Sequence, residues 1–136
     1  MASISDFISE TLGKSLDLDG RFGAQSPDFG VAYLRHMTGD DTLTVAGNAI
    51  DWANPGHPDL APHGTWHPAG SGPRKPGDIC VFSNQIGYGT IGISRGQEYL
   101  EDEHLVWSQN PGPVRKMALR ENSNHLVGWW RLPDAG

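Results

Sequence analysis

The sequence predicts an α+β fold, with N-terminal helices packed on a C-terminal antiparallel sheet. In the first third of the chain, apolar residues recur every three or four positions, as on one face of a helix. In the last third, short β-branched and aromatic runs are separated by turn residues. Helices gathered first and strands second point to α+β rather than to an alternating α/β arrangement. The 136 residues suit a single domain. Its expected parts are a helical region over 1–54, a Pro/His-rich loop over 55–77 and a sheet over 78–132.

Each element has its own signal. Ile4, Phe7, Ile8 and Leu12 fall at helical spacing, with Ser5 as the expected N-cap and Gly13 as the stop. A second helix is expected over Pro27–His36, where Phe29, Ala32 and Tyr33 share a face and Pro27 suits the first turn. Thr44–Trp52 is expected to form a short third helix closed by Asn54-Pro55-Gly56. The 55–77 stretch holds most of the prolines and reads as a long ordered loop, interrupted by Trp66. Strands are expected at Asp78–Phe82, Gly89–Ser94, His104–Ser108 and Leu126–Leu132, with a weaker one at Val114–Leu119. Glu98, Glu101, Asp102 and Glu103 read as a solvated turn. Alternation over Trp129-Trp130 would place one ring in the core and the other outward, where it stacks on a sugar or packs on a partner. An ordinary half-buried Trp is the plainer alternative.

Composition excludes several function classes. Lys+Arg number 10 against 16 Asp+Glu, a net charge of -6, and no basic stripe appears, so nucleic acid is not an expected partner. No run approaches the ~20 apolar residues of a membrane helix, so membrane insertion is not expected. The opening MASISDFISETLG lacks the basic start and apolar core of a signal peptide. The single cysteine, Cys80, excludes an internal disulfide framework and any multi-cysteine zinc site; flanked by Ile79 and Val81-Phe82, it reads as a small buried hydrophobe. His57, Asp59, His63 and His67 carry zinc-ligand chemistry, but solvated loop histidines fit their spacing better. Asp17-x-Asp19-Gly20 looks like the start of an oxygen-ligand loop for Ca2+: alternating Asp in a turn converge on one centre, and Gly lets the backbone fold round it. The alternative is an Asx-turn leading to a helix cap, with Asp28 favouring the helix N-terminus, and Arg21 places an unhelpful positive charge in the loop.

Seven pieces in order resemble one known family. They are Phe7-Ile8-x-x-Thr11-Leu12-Gly13-Lys14, Asp17-x-Asp19-Gly20-x-x-Gly23-x-Gln25-Ser26-x-Asp28 and Gly47-Asn48-Ala49-Ile50-Asp51-Trp52. Then come Lys75-Pro76-Gly77-Asp78-Ile79, Gly89-Thr90-Ile91-Gly92-Ile93, Ser108-Gln109-Asn110 and Gly128-Trp129-Trp130-Arg131. Across nearly the whole chain this order is similar to the CHAP domain, the papain-like cysteine amidase/peptidase fold of phage endolysins and other bacterial cell-wall hydrolases. In active members a Cys follows the Gln at the start of the first core helix, and the helix dipole and a nearby His lower its pKa. Here that position is Ser26. The His of the Gly-His-Val-x-Ile strand is Thr90, and the residue that orients the His is Ser108. The resemblance thus implies a pseudoenzyme, because a serine without a base is a poor nucleophile and threonine is no general base near neutral pH.

The resemblance also implies a Ca2+ site made by Asp17, Asp19, the carbonyls of Arg21 and Gly23, and Asp28. It implies an old substrate cleft around Gln25, Ser26, Thr90, Asn110, Trp129 and Trp130. The expected function is a catalytically inactive phage protein, a structural component of the virion surface (capsid decoration or tail) that engages the host cell wall. Other virion proteins and bacterial peptidoglycan would be its partners. The alternatives are a non-catalytic peptidoglycan-binding module and a residual or mutant cell-wall amidase/endopeptidase. Residual hydrolysis would need Cys80, or Ser26 paired with His104 or His125, in a new geometry.

Overall fold

The computed structural model describes residues 3–16, 25–84, 87–100, 103–109 and 113–133. The first helix, α1, spans Ile4–Thr11. Its N-cap is Ser3 rather than Ser5: the Ser3 hydroxyl accepts the Asp6 N–H at 3.1 Å, and Ser5 lies inside the first turn. Helix α2 spans Ser26–Thr38, with Pro27 in its first turn and Gly39 closing it in the left-handed region at φ 76°. The expected third helix shrinks to a single 3-10 turn, Ala49–Trp52. Gly47 just before it sits at φ 95°, and the Asp51 carboxylate accepts the Asn48 N–H at 2.7 Å, so the helical turn cannot begin earlier.

Among the described residues six strands follow: β1 Thr65–Pro68, β2 Ile79–Asn84, β3 Thr90–Leu100, β4 Glu103–Ser108, β5 Arg115–Arg120 and β6 Asn124–Arg131. They form one antiparallel sheet in the order β1-β6-β2-β3-β4-β5. Strand β1 lies inside the segment expected to be loop. As an edge strand it tolerates Pro68, which would be out of place in a central one. Strand β3 runs beyond the expected Ser94, and Leu100 pairs with Glu103, so of the residues expected in a solvated turn Glu98 lies in β3 and Glu103 opens β4, while Glu101 and Asp102 lie outside the described residues.

The connection of β5 to β6 shapes the sheet. Only residues 121–123 join them, yet β5 pairs with β4 and β6 with β1 and β2. A link that short brings the two strands close, so the sheet curls. Two apolar clusters result. Ile79, Val81, Ile91, Ile93 and Trp130 face the helices and pack with Phe7, Phe29, Tyr33, Leu34 and Trp52. Cys80, Phe82, Val106, Leu119, Leu126 and Trp129 fill the inside of the curl. Strand β2 is therefore covered on both faces, which is why its sequence is a continuous apolar run and not an alternation. Gly92 allows the curl: a Cβ there would lie 2.7 Å from Val106 Cγ2. Gly30 lets α2 sit close on the sheet, since a Cβ would meet the Trp52 ring at 2.7 Å.

A buried clamp joins the sheet to the loop before it. Asp78 is 1 % exposed and takes Arg131 in a two-pronged grip, Nε to Oδ1 at 3.0 Å and Nη2 to Oδ2 at 2.8 Å. It also accepts the Lys75 N–H at 2.7 Å. Tyr33 donates its phenol to the Gly77 carbonyl at 2.9 Å. Burial, and then the Asp78 charge, push its pKa well above the usual range.

Candidate functional site

The start of α2 is built as an anchored helix N-terminus. Gln25 is the N-cap, Ser26 opens the helix, and the Asp28 carboxylate turns back to accept the Gln25 N–H at 3.1 Å. Gln109, fully buried just after β4, holds this end in place. Its amide donates to the Gln25 carbonyl at 2.8 Å and the Leu16 carbonyl at 2.6 Å, and its oxygen accepts the Leu16 N–H at 2.9 Å. The sequence marks Gln109 only as part of Ser108-Gln109-Asn110. Its partners stand up to 93 residues away, so spacing alone does not reveal the role.

Ser26 and Ser108 meet at one backbone residue, Ile91. The Ser26 oxygen accepts the Ile91 N–H at 3.0 Å, and the Ser108 hydroxyl donates to the Ile91 carbonyl at 2.6 Å. Both serines are buried, at 1 % and 0 % exposure. The physical reason lies in the sheet. Towards the start of β3, the pairing of β3 with β4 ends at Ile93 and Trp107, which leaves Ile91 without a ladder partner on that side. Buried backbone groups need partners, and the two hydroxyls supply them. Side chains alternate along a strand, so Thr90 faces the other way from Ile91. The Thr90 hydroxyl lies between Asn84, which donates to it at 3.3 Å, and Asn124, whose oxygen is 3.5 Å away. The three positions singled out from the sequence therefore converge on one stretch of β3, and the Thr90 hydroxyl has Asn84 and Asn124 as partners, with no Thr90–Ser26 hydrogen bond among the described residues.

No histidine hydrogen-bonds Ser26 among the described residues, and each has its place elsewhere. His36 lies 3.8 Å from Glu10, and His57 contacts the Ala46 carbonyl at 3.1 Å while its Nδ1 accepts the Asp59 N–H at 3.1 Å. His67 stacks on Trp129, and His63 lies close enough to Asp40 to favour its carboxylate. His104 and His125 flank Glu121 at 3.5 and 3.2 Å. No group of three His, Cys, Asp or Glu converges for a metal among the described residues, so His57, His63 and His67 do not gather with Asp59. Cys80 is fully buried, and burial pushes its thiol up to about 12, which removes it as a nucleophile.

Of the calcium set, Asp28 is described and serves the helix N-terminus; Asp17, Asp19, Arg21 and Gly23 lie outside the described residues, as does Asn110 of the cleft set. The expectation of one outward Trp ring does not hold. Trp129 and Trp130 are 2 % and 1 % exposed, because both faces of β6 are covered. Trp130 donates its indole N–H to the Trp52 carbonyl at 2.7 Å, and Trp129 lies inside the curl.

No family model matches the chain, and no curated protein matches it. Among solved structures, the fold is similar to that of a wild type endolysin, LysIME-EF1, with a TM-score of 0.66 and 21 % sequence identity. The match covers 98 % of this chain and 65 % of the endolysin chain, less than two thirds of its length. What this chain has in common with that protein is its architecture: an endolysin-like α+β fold.

Proposed function

We propose that this chain is a CHAP-like protein that has lost its catalytic chemistry, a structural component of a phage virion surface that engages the host cell wall. One observation carries the loss of chemistry: Ser26 and Ser108 are spent on the backbone of Ile91. A serine nucleophile needs a base within hydrogen-bond reach. The Ser26 oxygen is buried and takes a peptide N–H, and the histidines are engaged elsewhere. The two hydroxyls act as mortar where a hydrolase has machinery. The endolysin-like architecture supports the link to phage and wall. Retention at the wall without cutting is the role left to such a fold.

The test is to incubate the purified protein with host peptidoglycan and to score pelleting and released fragments in one tube, with calcium and with chelator. Pelleting without fragments is the expected result. Loss of pelleting in chelator would assign the calcium loop of Asp17, Asp19 and Asp28 to wall binding. Fragments that disappear in Ser26→Ala would overturn the reading and make the chain a serine-dependent lysin. Absence of both pelleting and fragments would remove the wall and leave the particle, to be tested by immunogold labelling of virions.

A further inference from the structure

At one end of the sheet the β2–β3 turn, the β5–β6 turn and the 3-10 turn lie together. Asn84, at the end of β2, pairs across the sheet with Asn124, at the start of β6, so the first two turns share one rim. The Ile50 N–H donates to the Tyr88 carbonyl at 2.9 Å, which ties the β2–β3 turn to the 3-10 turn. This rim carries a ring in solvent. Tyr88 is 62 % exposed, and the one other large apolar side chain so exposed among the described residues, Leu12, caps α1.

The ring stands on a fastened backbone. Gly87 and Gly89, on either side of Tyr88, sit at φ 86° and 80°, a region that favours glycine. The Asn84 carbonyl accepts the Gly87 N–H at 3.1 Å, and the Asn84 side-chain oxygen accepts the Gly89 N–H at 3.2 Å. A Cβ on Gly89 would lie 2.7 Å from both Ile50 N and the Phe82 carbonyl, so the turn packs tightly on its neighbours. A ring left in water adds little to the core, and a backbone held this way loses little freedom on meeting a ligand.

The surroundings are amides without cations. Four of the six asparagines gather at this rim, Asn48 and Asn122 exposed and Asn84 and Asn124 half-buried. Segments 47–52, 83–90 and 121–125 contain no Lys or Arg. Their two carboxylates are engaged: Asp51 accepts the Asn48 N–H, and Glu121 lies against His104 and His125. An asparagine amide both donates and accepts, which suits the hydroxyl and acetamido groups of a sugar. A Tyr ring offers a flat apolar face to the C–H bonds of a pyranose. A protein partner would ask for several clustered apolar anchors, and this rim has one.

We propose that this rim binds an uncharged glycan, with one pyranose stacked on Tyr88 and its polar substituents met by the neighbouring asparagine amides. The inference rests on the wall-engagement reading above and deepens it: what is held is glycan, at the turns rather than at Ser26.

The experiment titrates the full chain with a β-1,4-linked trimer of N-acetylglucosamine and with the matching trimer of glucose, followed by backbone amide resonances. Saturable movement of the amides of Gly87–Gly89 and Asn48–Ile50 is expected, with Kd on the order of 1 mM. Tighter binding of the acetylated trimer would support an acetamido-bearing glycan as the source, and equal or tighter binding of the glucose trimer a plain neutral polysaccharide. Tyr88→Ala should bind at least tenfold more weakly, while Tyr88→Phe, which keeps the ring, should bind as the natural sequence does. No saturable response to either sugar, movement confined to other segments, or unchanged binding by Tyr88→Ala would overturn the proposal. If Tyr88→Ala does not fold, the position of the moving amides in the natural sequence decides alone. Pelleting with peptidoglycan separates the site from the broader reading. Full pelleting by Tyr88→Ala would leave wall engagement standing and overturn this site, whereas sugar binding without pelleting would overturn wall engagement and keep the site.

Discussion

Trp130 and Trp129 are neighbours on one strand, equally buried, and differ in what their indoles do. On the helix side Trp130 donates to the Trp52 carbonyl. Inside the curl the Trp129 N–H has no partner. The contrast extends to the surroundings. The helix side is packed by Phe29, Tyr33, Trp52 and the aliphatic residues of β2 and β3, and its polar groups are largely engaged, the Trp52 N–H and His36 Nε2 being exceptions. The inside of the curl collects Arg74, Cys80 and His104 beside its apolar residues and keeps a cavity. One face is almost wholly aromatic and aliphatic, while the other buries a guanidinium, a thiol and an imidazole among its apolar residues.

Four experiments test that difference. The largest effect should come from the clamp at the seam of the two faces. Arg131→Met leaves Asp78 buried and charged, and should cost about 3 kcal/mol by urea unfolding, the low end for a buried pair because Arg131 is partly exposed. Gln109→Ala strands the Leu16 and Gln25 carbonyls and the Leu16 N–H, and should cost about 2 kcal/mol. Its mark is faster amide exchange at Leu16 and the first turn of α2, with the inside of the curl unaffected; uniform loosening would show that the two faces are not separable.

Third, Trp130→Phe orphans the buried Trp52 carbonyl, whereas Trp129→Phe removes a donor that bonds to nothing. At equal loss of volume the first should cost about 1–2 kcal/mol more than the second. Equal costs would erase the distinction. The smallest effects lie in pH. His104 has a lowered folded pKa, so its contribution is present above pH 6.5 and lost as pH falls below it. Cys80 has a folded pKa raised from 9.0 to about 12, so its contribution is present below pH 9.0 and lost as pH rises towards 12. His104→Asn should flatten the acid limb of the stability profile and Cys80→Ala the alkaline limb from pH 9.0 to 10.0, above which Tyr33 on the helix side, its pKa raised from 10.0, adds its own loss; helix-side substitutions that spare Tyr33 leave both slopes in place.

The residues reveal these features unevenly. The α+β order, α2 and the main strands are readable because periodicity and Pro/Gly punctuation are local signals. Strand β1 is hidden among prolines, since an edge strand needs only one partner and Trp66 gives no alternation around it. The short 3-10 turn replaces a longer expected helix because Gly47 and Asp51 act through backbone geometry. The resemblance points to Ser26, Thr90 and Ser108 as one set, and in the structure Ser26 and Ser108 bond to Ile91, next to Thr90 on β3. What pattern cannot supply is that β4 leaves β3 after Trp107, and this opening is what gives the two serines their work. The buried state of both tryptophans was equally hidden, since it depends on the curl.

The strand order also governs how the chain assembles. Strand β6 sits between β1 and β2, and Trp66 waits for Trp130, 64 residues further along, before β1 has any place in the sheet. Until then β2 presents two apolar faces and one open edge. Pairing over such separations makes for slow folding, and exposed edges of this kind recruit other chains. Refolding yield should therefore fall with protein concentration, and a soluble peptide copy of β6 added during refolding should compete for the β2 edge.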